Sequence, residues 1–167
     1  MAPTATGRYY LPAGLPAPVA EPDGLDRPYW DGTRRSELWV QRCNRCRTWQ
    51  WGPEWICHAC LVSDVGWTRV DGRGVIYSWE RAWHPVHPAL KGHGPYIVVL
   101  VELPHAGGIR MLGNLLGDPQ QVVTIGAPVE AVFEAHDDAK TPFTLVQWVC
   151  EPQDAAGLGP RRPRRAI

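Results

Sequence analysis

Two Cys-x-x-Cys pairs, Cys43-Asn-Arg-Cys46 and Cys57-His-Ala-Cys60, stand ten residues apart and constrain this chain more than any other feature. Each pair can form a short knuckle that turns two thiolates inward, and together they offer four soft ligands at tetrahedral spacing. That is the arrangement of a structural Zn²⁺ ribbon, with Zn–S bonds of about 2.3 Å and no open position for a water. Two disulfides, a redox Cys-x-x-Cys and a rubredoxin-type iron centre are the alternatives. A redox pair needs a strand–helix setting, and the stretch between these pairs holds Trp49, Trp51, Gly52, Pro53 and Trp55 instead. The reading is one structural Zn²⁺ per chain on Cys43, Cys46, Cys57 and Cys60, with iron in the same ligands as the main competitor. Cys150 is left over.

Acidic and basic residues balance, so no global charge draws the chain to nucleic acid or an anionic membrane. No apolar run approaches the roughly 20 residues that span a bilayer, and no secretory signal is visible. With an odd cysteine and metal-type spacing, a reducing, cytoplasmic compartment is expected. High Gly and Pro counts favour short strands and turns over long helices.

Residues 1–27 are rich in Pro, Ala and Gly without apolar periodicity and read as a flexible arm. Residues 28–39 read as a short helix running into a strand at Leu38, with Asp31 as a cap. Tyr29, Trp30, Leu38 and Trp39 would be its apolar anchors, available for docking on a partner. The ribbon follows over residues 40–66, too small to hold a core without its metal. From Trp67 the texture turns to β. Two strand-like runs flank Asp71-Gly72-Arg73-Gly74. Pro95–Leu103 is an almost wholly apolar central strand, Ile109–Leu116 another, Ala127–Glu134 alternates with period two, and Phe143–Val149 is the last. Residues 67–150 are therefore expected to form a five-stranded Greek-key barrel of the OB type. Residues 151–167, with Arg161, Arg162, Arg164 and Arg165, read as a disordered tail. The fold class expected is mainly β: a short N-terminal helix and a rubredoxin-like zinc ribbon, then an OB-fold barrel.

The order of these parts is itself specific. Val70-Asp-Gly72-Arg-Gly74-Val75-Ile76-Tyr77-Ser78 is followed by Pro95-Tyr96-Ile-Val98-Val99-Leu100-Val101-Glu102-Leu103. Ile125-Gly126-Ala-Pro128-Val129-Glu130-Ala-Val-Phe133 comes last. With the helix and the cysteine pairs, this pattern resembles the zinc-ribbon/OB-fold proteins known as domain of unknown function 35, over residues 28 to 149. The resemblance implies an accessory protein of CoA-thioester metabolism. Such proteins accompany thiolase-like enzymes, which carry the catalytic residues while the OB protein helps form the acyl-CoA passage. It implies a thiolase-like dimer as partner, in a heterotetramer, with acyl-CoA at the subunit interface. No catalytic motif of the family carries over to residues here.

A single-stranded nucleic-acid module is the second reading, since OB barrels and ribbons both serve that use. It needs a positive groove with aromatic platforms. Aromatics are plentiful, and Arg34, Arg35, Arg42, Arg45 and Arg47 cluster near the ribbon, but the net charge is zero. An enzyme in its own right would have to rest on His84, His87 and His93. No Ser, Cys or carboxylate in recognisable spacing completes a site with them. For the acyl-CoA passage that the resemblance implies, the loop carrying them is the expected edge, because it is long and joins two strands at one end of the barrel.

Overall fold

The computed structural model describes residues 9–151. One short helix, α1 (Arg27–Thr33), precedes eight strands. Strands β1 (Leu38–Cys43), β2 (Trp49–Gln50) and β3 (Val65–Val70) form a small antiparallel sheet in the order β2-β1-β3. Strands β4 (Arg73–Ala82), β5 (Tyr96–Leu103), β6 (Ile109–Asn114), β7 (Pro128–His136) and β8 (Phe143–Cys150) form a second sheet, ordered β6-β5-β4-β7-β8. This sheet curls until its edges meet. A parallel bridge pairs Leu115 with Trp148, and the Leu116 N–H donates to the Trp148 carbonyl at 2.8 Å. The result is a nearly closed five-stranded barrel with OB-type connectivity, as the strand pattern predicts. Where the backbone ladder is missing, a side chain stitches the seam. Gln147 on β8 is buried, and its Oε1 accepts from the Asn114 N–H on β6 at 2.9 Å.

Period-two patterning explains the interior. Ile97, Val99, Val101 and Leu103 on β5 are all fully buried, while the residues between them are half-buried. Trp148 fills the barrel from β8 and lies against Gly113, where a Cβ would stand 2.7 Å from the indole. Asp71-Gly72 turns β3 into β4, with the Arg73 N–H donating to Asp71 Oδ1 at 3.1 Å. The β-bulge in this region comes later, between Ile76 and Ser78.

Four sequence expectations need correction. Helix α1 ends at Thr33, short of the expected bounds 28–39, while the strand expected to begin at Leu38 is β1. Asp31 lies inside α1 and pairs with Arg27 and Arg34; the residue before the helix is Asp26, whose carboxylate accepts from Trp30 Nε1 at 2.7 Å. The boundary expected at 66/67 cuts through β3, which pairs along its length with β1. Leu38, Val40 and Val70 from the small sheet share one apolar cluster with the barrel residues. The ribbon therefore leans on the barrel core and does not stand apart from it. Finally, the segment from Tyr9 touches the folded body at several points, although much of it is exposed. The Tyr9 ring stacks on His136, the Tyr10 N–H donates to Glu134 at 2.9 Å, and Gly14 sits against Ala89. Residues 1–8 and the Arg-rich stretch 152–167 fall outside the described residues.

Candidate metal centre and its surroundings

The two knuckles share one backbone pattern. In each, the first cysteine's carbonyl accepts from the residue four ahead, Arg47 N–H to Cys43 at 3.0 Å and Leu61 N–H to Cys57 at 2.9 Å. In each, the first cysteine's N–H donates to the residue five ahead, Cys43 to Thr48 and Cys57 to Val62, both at 2.9 Å. Both turns close through a left-handed residue, Arg47 at φ 64° and Leu61 at φ 59°. This equivalence points four sulfurs at one point. Cys43 and Cys60 Sγ lie 3.6 Å apart, as do Cys46 and Cys57 Sγ, and all four atoms fall within 4.8 Å of one another.

A tetrahedron of 2.3 Å metal–sulfur bonds has edges of about 3.8 Å, so the donor set fits Zn²⁺ or tetrahedral iron. A disulfide would bring two sulfurs to about 2.05 Å, and all five cysteines are free. The thiols differ in character. Hydrogen bonds from the Thr48 side chain and backbone hold Cys46 down to about 6, while desolvation pushes Cys60 up to about 12. A metal bound to all four would displace the remaining protons.

Sequence reasoning missed what holds the knuckles. Gln41 on β1 and Gln50 on β2 are buried and in register. Gln50 Nε2 donates to Gln41 Oε1 at 2.8 Å, and Gln50 Oε1 accepts from the His58 N–H at 3.2 Å. Gln41 in turn exchanges bonds with the Glu54 backbone, its Nε2 donating at 3.1 Å and its Oε1 accepting at 2.9 Å. This pair ties the second knuckle to the sheet. A polar residue at a buried strand position was the available signal. On the barrel side, Trp49 and Trp51 pack against the shared core, and Trp49 rests on Gly107.

The residues expected to dock a partner divide. Leu38 is 2% exposed and part of the core, so it is not a surface anchor. Tyr29 packs against that core and contacts Trp51 at 4.9 Å between ring centroids, and burial pushes its hydroxyl up to about 12. Trp30 and Trp39 are half-buried, and Trp39 Nε1 donates to Glu37 at 3.0 Å.

The three histidines do not converge. His84 is exposed, His87 caps a 3-10 turn by accepting from the Ala89 N–H at 3.2 Å, and the His93 N–H donates to Leu90. Among the described residues the four cysteines are the sole group of three or more His, Cys, Asp or Glu side chains brought together. Of the arginines near the ribbon, Arg34 pairs with Asp31 and Arg35 with Glu37, and Arg42 lies over the Trp49 ring at 4.6 Å. No described helix is long and apolar enough to cross a membrane.

A helix-led four-cysteine ribbon sharing its core with a five-stranded OB barrel defines a class of small two-part β proteins. Residues 67–134 match the family described as ChsH2, C-terminal OB-fold domain. A solved chain of an "Ltp2-ChsH2(DUF35) aldolase" superposes with a TM-score of 0.67 at 30% identity, over 80% of this chain and 98% of that one. The chain belongs to this DUF35/ChsH2 OB-fold family. A DUF35 protein of unknown function from Sulfolobus solfataricus shares the fold at 15% identity and a TM-score of 0.53 over 79% of this chain and 87% of that one. Two curated relatives are larger. A probable enoyl-CoA hydratase alpha subunit of Thermomonospora curvata is 36% identical over 62% of this chain and 32% of its own length. The 3-oxo-4,17-pregnadiene-20-carboxyl-CoA hydratase alpha subunit of Mycobacterium tuberculosis is 32% identical over 83% of this chain and 45% of its own. The chain thus spans less than half of each.

Proposed function

We propose that the chain is a non-catalytic subunit that binds a thiolase-like aldolase dimer, one copy per protomer, and lines its acyl-CoA passage. The observation that carries this reading is the likeness to the DUF35 chain of the Ltp2-ChsH2 aldolase across nearly all of that chain. The steroid acyl-CoA in the name of the mycobacterial relative makes a steroid side-chain thioester the favoured substrate class. A non-catalytic role agrees with a four-sulfur metal site that has no open position and with histidines that do not assemble. In this reading Zn²⁺ on Cys43, Cys46, Cys57 and Cys60 holds the knuckles, and its chemistry is structural. Trp30 and Trp39 contact the partner, while Tyr29 and Leu38 support them from behind. The loop carrying His84, His87 and His93 borders the thioester. Cytoplasmic residence follows from that role.

The test is co-expression with an Ltp2-type aldolase, with light scattering for stoichiometry and a retro-aldol assay on a steroid acyl-CoA. A heterotetramer that is active, beside an inactive lone chain, is the expected result. A lone chain that cleaves the thioester at enzyme-like rates overturns the reading. So does a chain that forms no complex.

A further inference from the structure

One cation at the barrel rim lacks a counter-charge. Arg81 sits near the end of β4, opposite Ile97 in the ladder. Its guanidinium lies 5.3 Å from the Trp79 ring centroid and 5.8 Å from that of Trp83, within cation–π reach of both. One terminal nitrogen donates to the Gln121 carbonyl at 2.6 Å. The Nε–H is buried and has no partner, and among the described residues no carboxylate pairs with the charge. The surroundings are apolar and open. Trp83 is 54% exposed, and Val86 and Val122 on the two flanking loops are almost fully exposed. By contrast, Arg110 on β6 pairs with Glu102, and Arg73 at the start of β4 pairs with Glu151. The buried Nε–H faces the protein, so an anion would meet the guanidinium at its terminal nitrogens; a fixed, uncompensated guanidinium next to an open indole is matched by an anion joined to a planar ring.

We propose that Arg81 and Trp83 form a binding site for a phosphorylated adenine nucleotide, the ADP-like end of a CoA thioester. Arg81 takes a phosphate and Trp83 stacks on the base. The choice of CoA over a free nucleotide rests on the function proposed above; the anion site rests on the geometry alone. The adjoining loop with His84, His87 and His93 would then run along the pantetheine arm.

The full chain alone, titrated with CoA in a calorimeter, tests this without any partner enzyme. Saturable binding is expected, weakened at least about tenfold by Arg81→Gln, largely kept by Arg81→Lys, and weakened about fivefold by Trp83→Leu. Far-UV circular dichroism and metal content should be unchanged in all three; Trp83 is exposed enough that its variant tests the site even where Arg81→Gln disturbs folding. ADP competing as well as CoA supports the site and assigns recognition to the nucleotide end. The inference is overturned by no CoA binding at millimolar concentration or by equal binding in Arg81→Gln. Pyrophosphate competing as well as CoA, with Trp83→Leu silent, also overturns it, as does a preference for single-stranded DNA at these residues. Because no aldolase is present, these outcomes are separate from failure of the complex.

Discussion

Replacing Leu38 by alanine separates a docking anchor from a core residue. Leu38 lies on β1 with 2% of its surface exposed, in register with Val70 on β3 and in one cluster with the barrel interior. Truncating a buried leucine removes its transfer energy and leaves a cavity, about 2–5 kcal/mol together. Leu38 is packed into the apolar cluster that the small sheet shares with the barrel, which has little freedom to collapse, so a loss of about 3 kcal/mol is expected. For a chain of this length that corresponds to a fall in Tm of about 6–12 °C. Cys43 stands on the same strand, so the damage should spread to the metal. The assay is urea unfolding followed in parallel by tryptophan fluorescence and by metal release to a chromophoric chelator. Both signals should shift to lower urea together, in wild type and variant alike. A variant with unchanged midpoints but lost partner binding would make Leu38 a surface anchor after all. Two separated transitions would refute the shared core.

Three further outcomes are expected. Serine at Cys43, Cys46, Cys57 or Cys60 should abolish stoichiometric metal binding, read by elemental analysis, and should loosen the barrel as well as the ribbon; zinc rather than iron is the expected ion, seen as a colourless protein. Tyr29 is neutral and half-buried against the core, with its pKa raised by desolvation from 10.0 to about 12, so it contributes stability that is whole below pH 10 and is lost as pH climbs through 12. The loss is about 2–3 kcal/mol, and Tyr29→Phe should remove that alkaline slope from the denaturation midpoint. Gly113→Ala places a methyl 2.7 Å from the Trp148 indole and 2.8 Å from the Val146 carbonyl, and should lower stability by about 1–3 kcal/mol in thermal unfolding.

The parts that were legible in the sequence are those written in short-range code. The cysteine spacing specified the sulfur cluster, and period-two alternation specified β5 and β7, because both depend on residues only a few positions apart. The division between ribbon and barrel was not legible. β3 looks like a barrel strand from Trp67 onward, and only its pairing with β1, some 27 residues earlier, shows where it belongs. Leu38, expected as a docking anchor, lies in the core for a related reason: a short segment appears to lack a core when the barrel that supplies one lies far along the chain. Residues 9–26 show no periodicity because they form no helix or strand: local turns tie residues 21–26 together, and scattered contacts such as Tyr9 on His136 hold the segment to the body. The buried Gln41–Gln50 pair and the unpaired Arg81 are tertiary facts, invisible until strands are set side by side.

The barrel is shut by a single bridge, one further backbone bond and the Gln147 amide, while every other neighbouring pair of barrel strands is joined by a ladder. Mechanically, the cylinder is a rolled sheet held by a clasp. Its compliance is concentrated along the line where β6 meets β8, and solvent deuterium should enter there, at the amides of Asn114 and Leu116, before it reaches the central strands. A ligand or subunit that needed the barrel wider would find the least resistance along that line, with the rest of the wall unchanged.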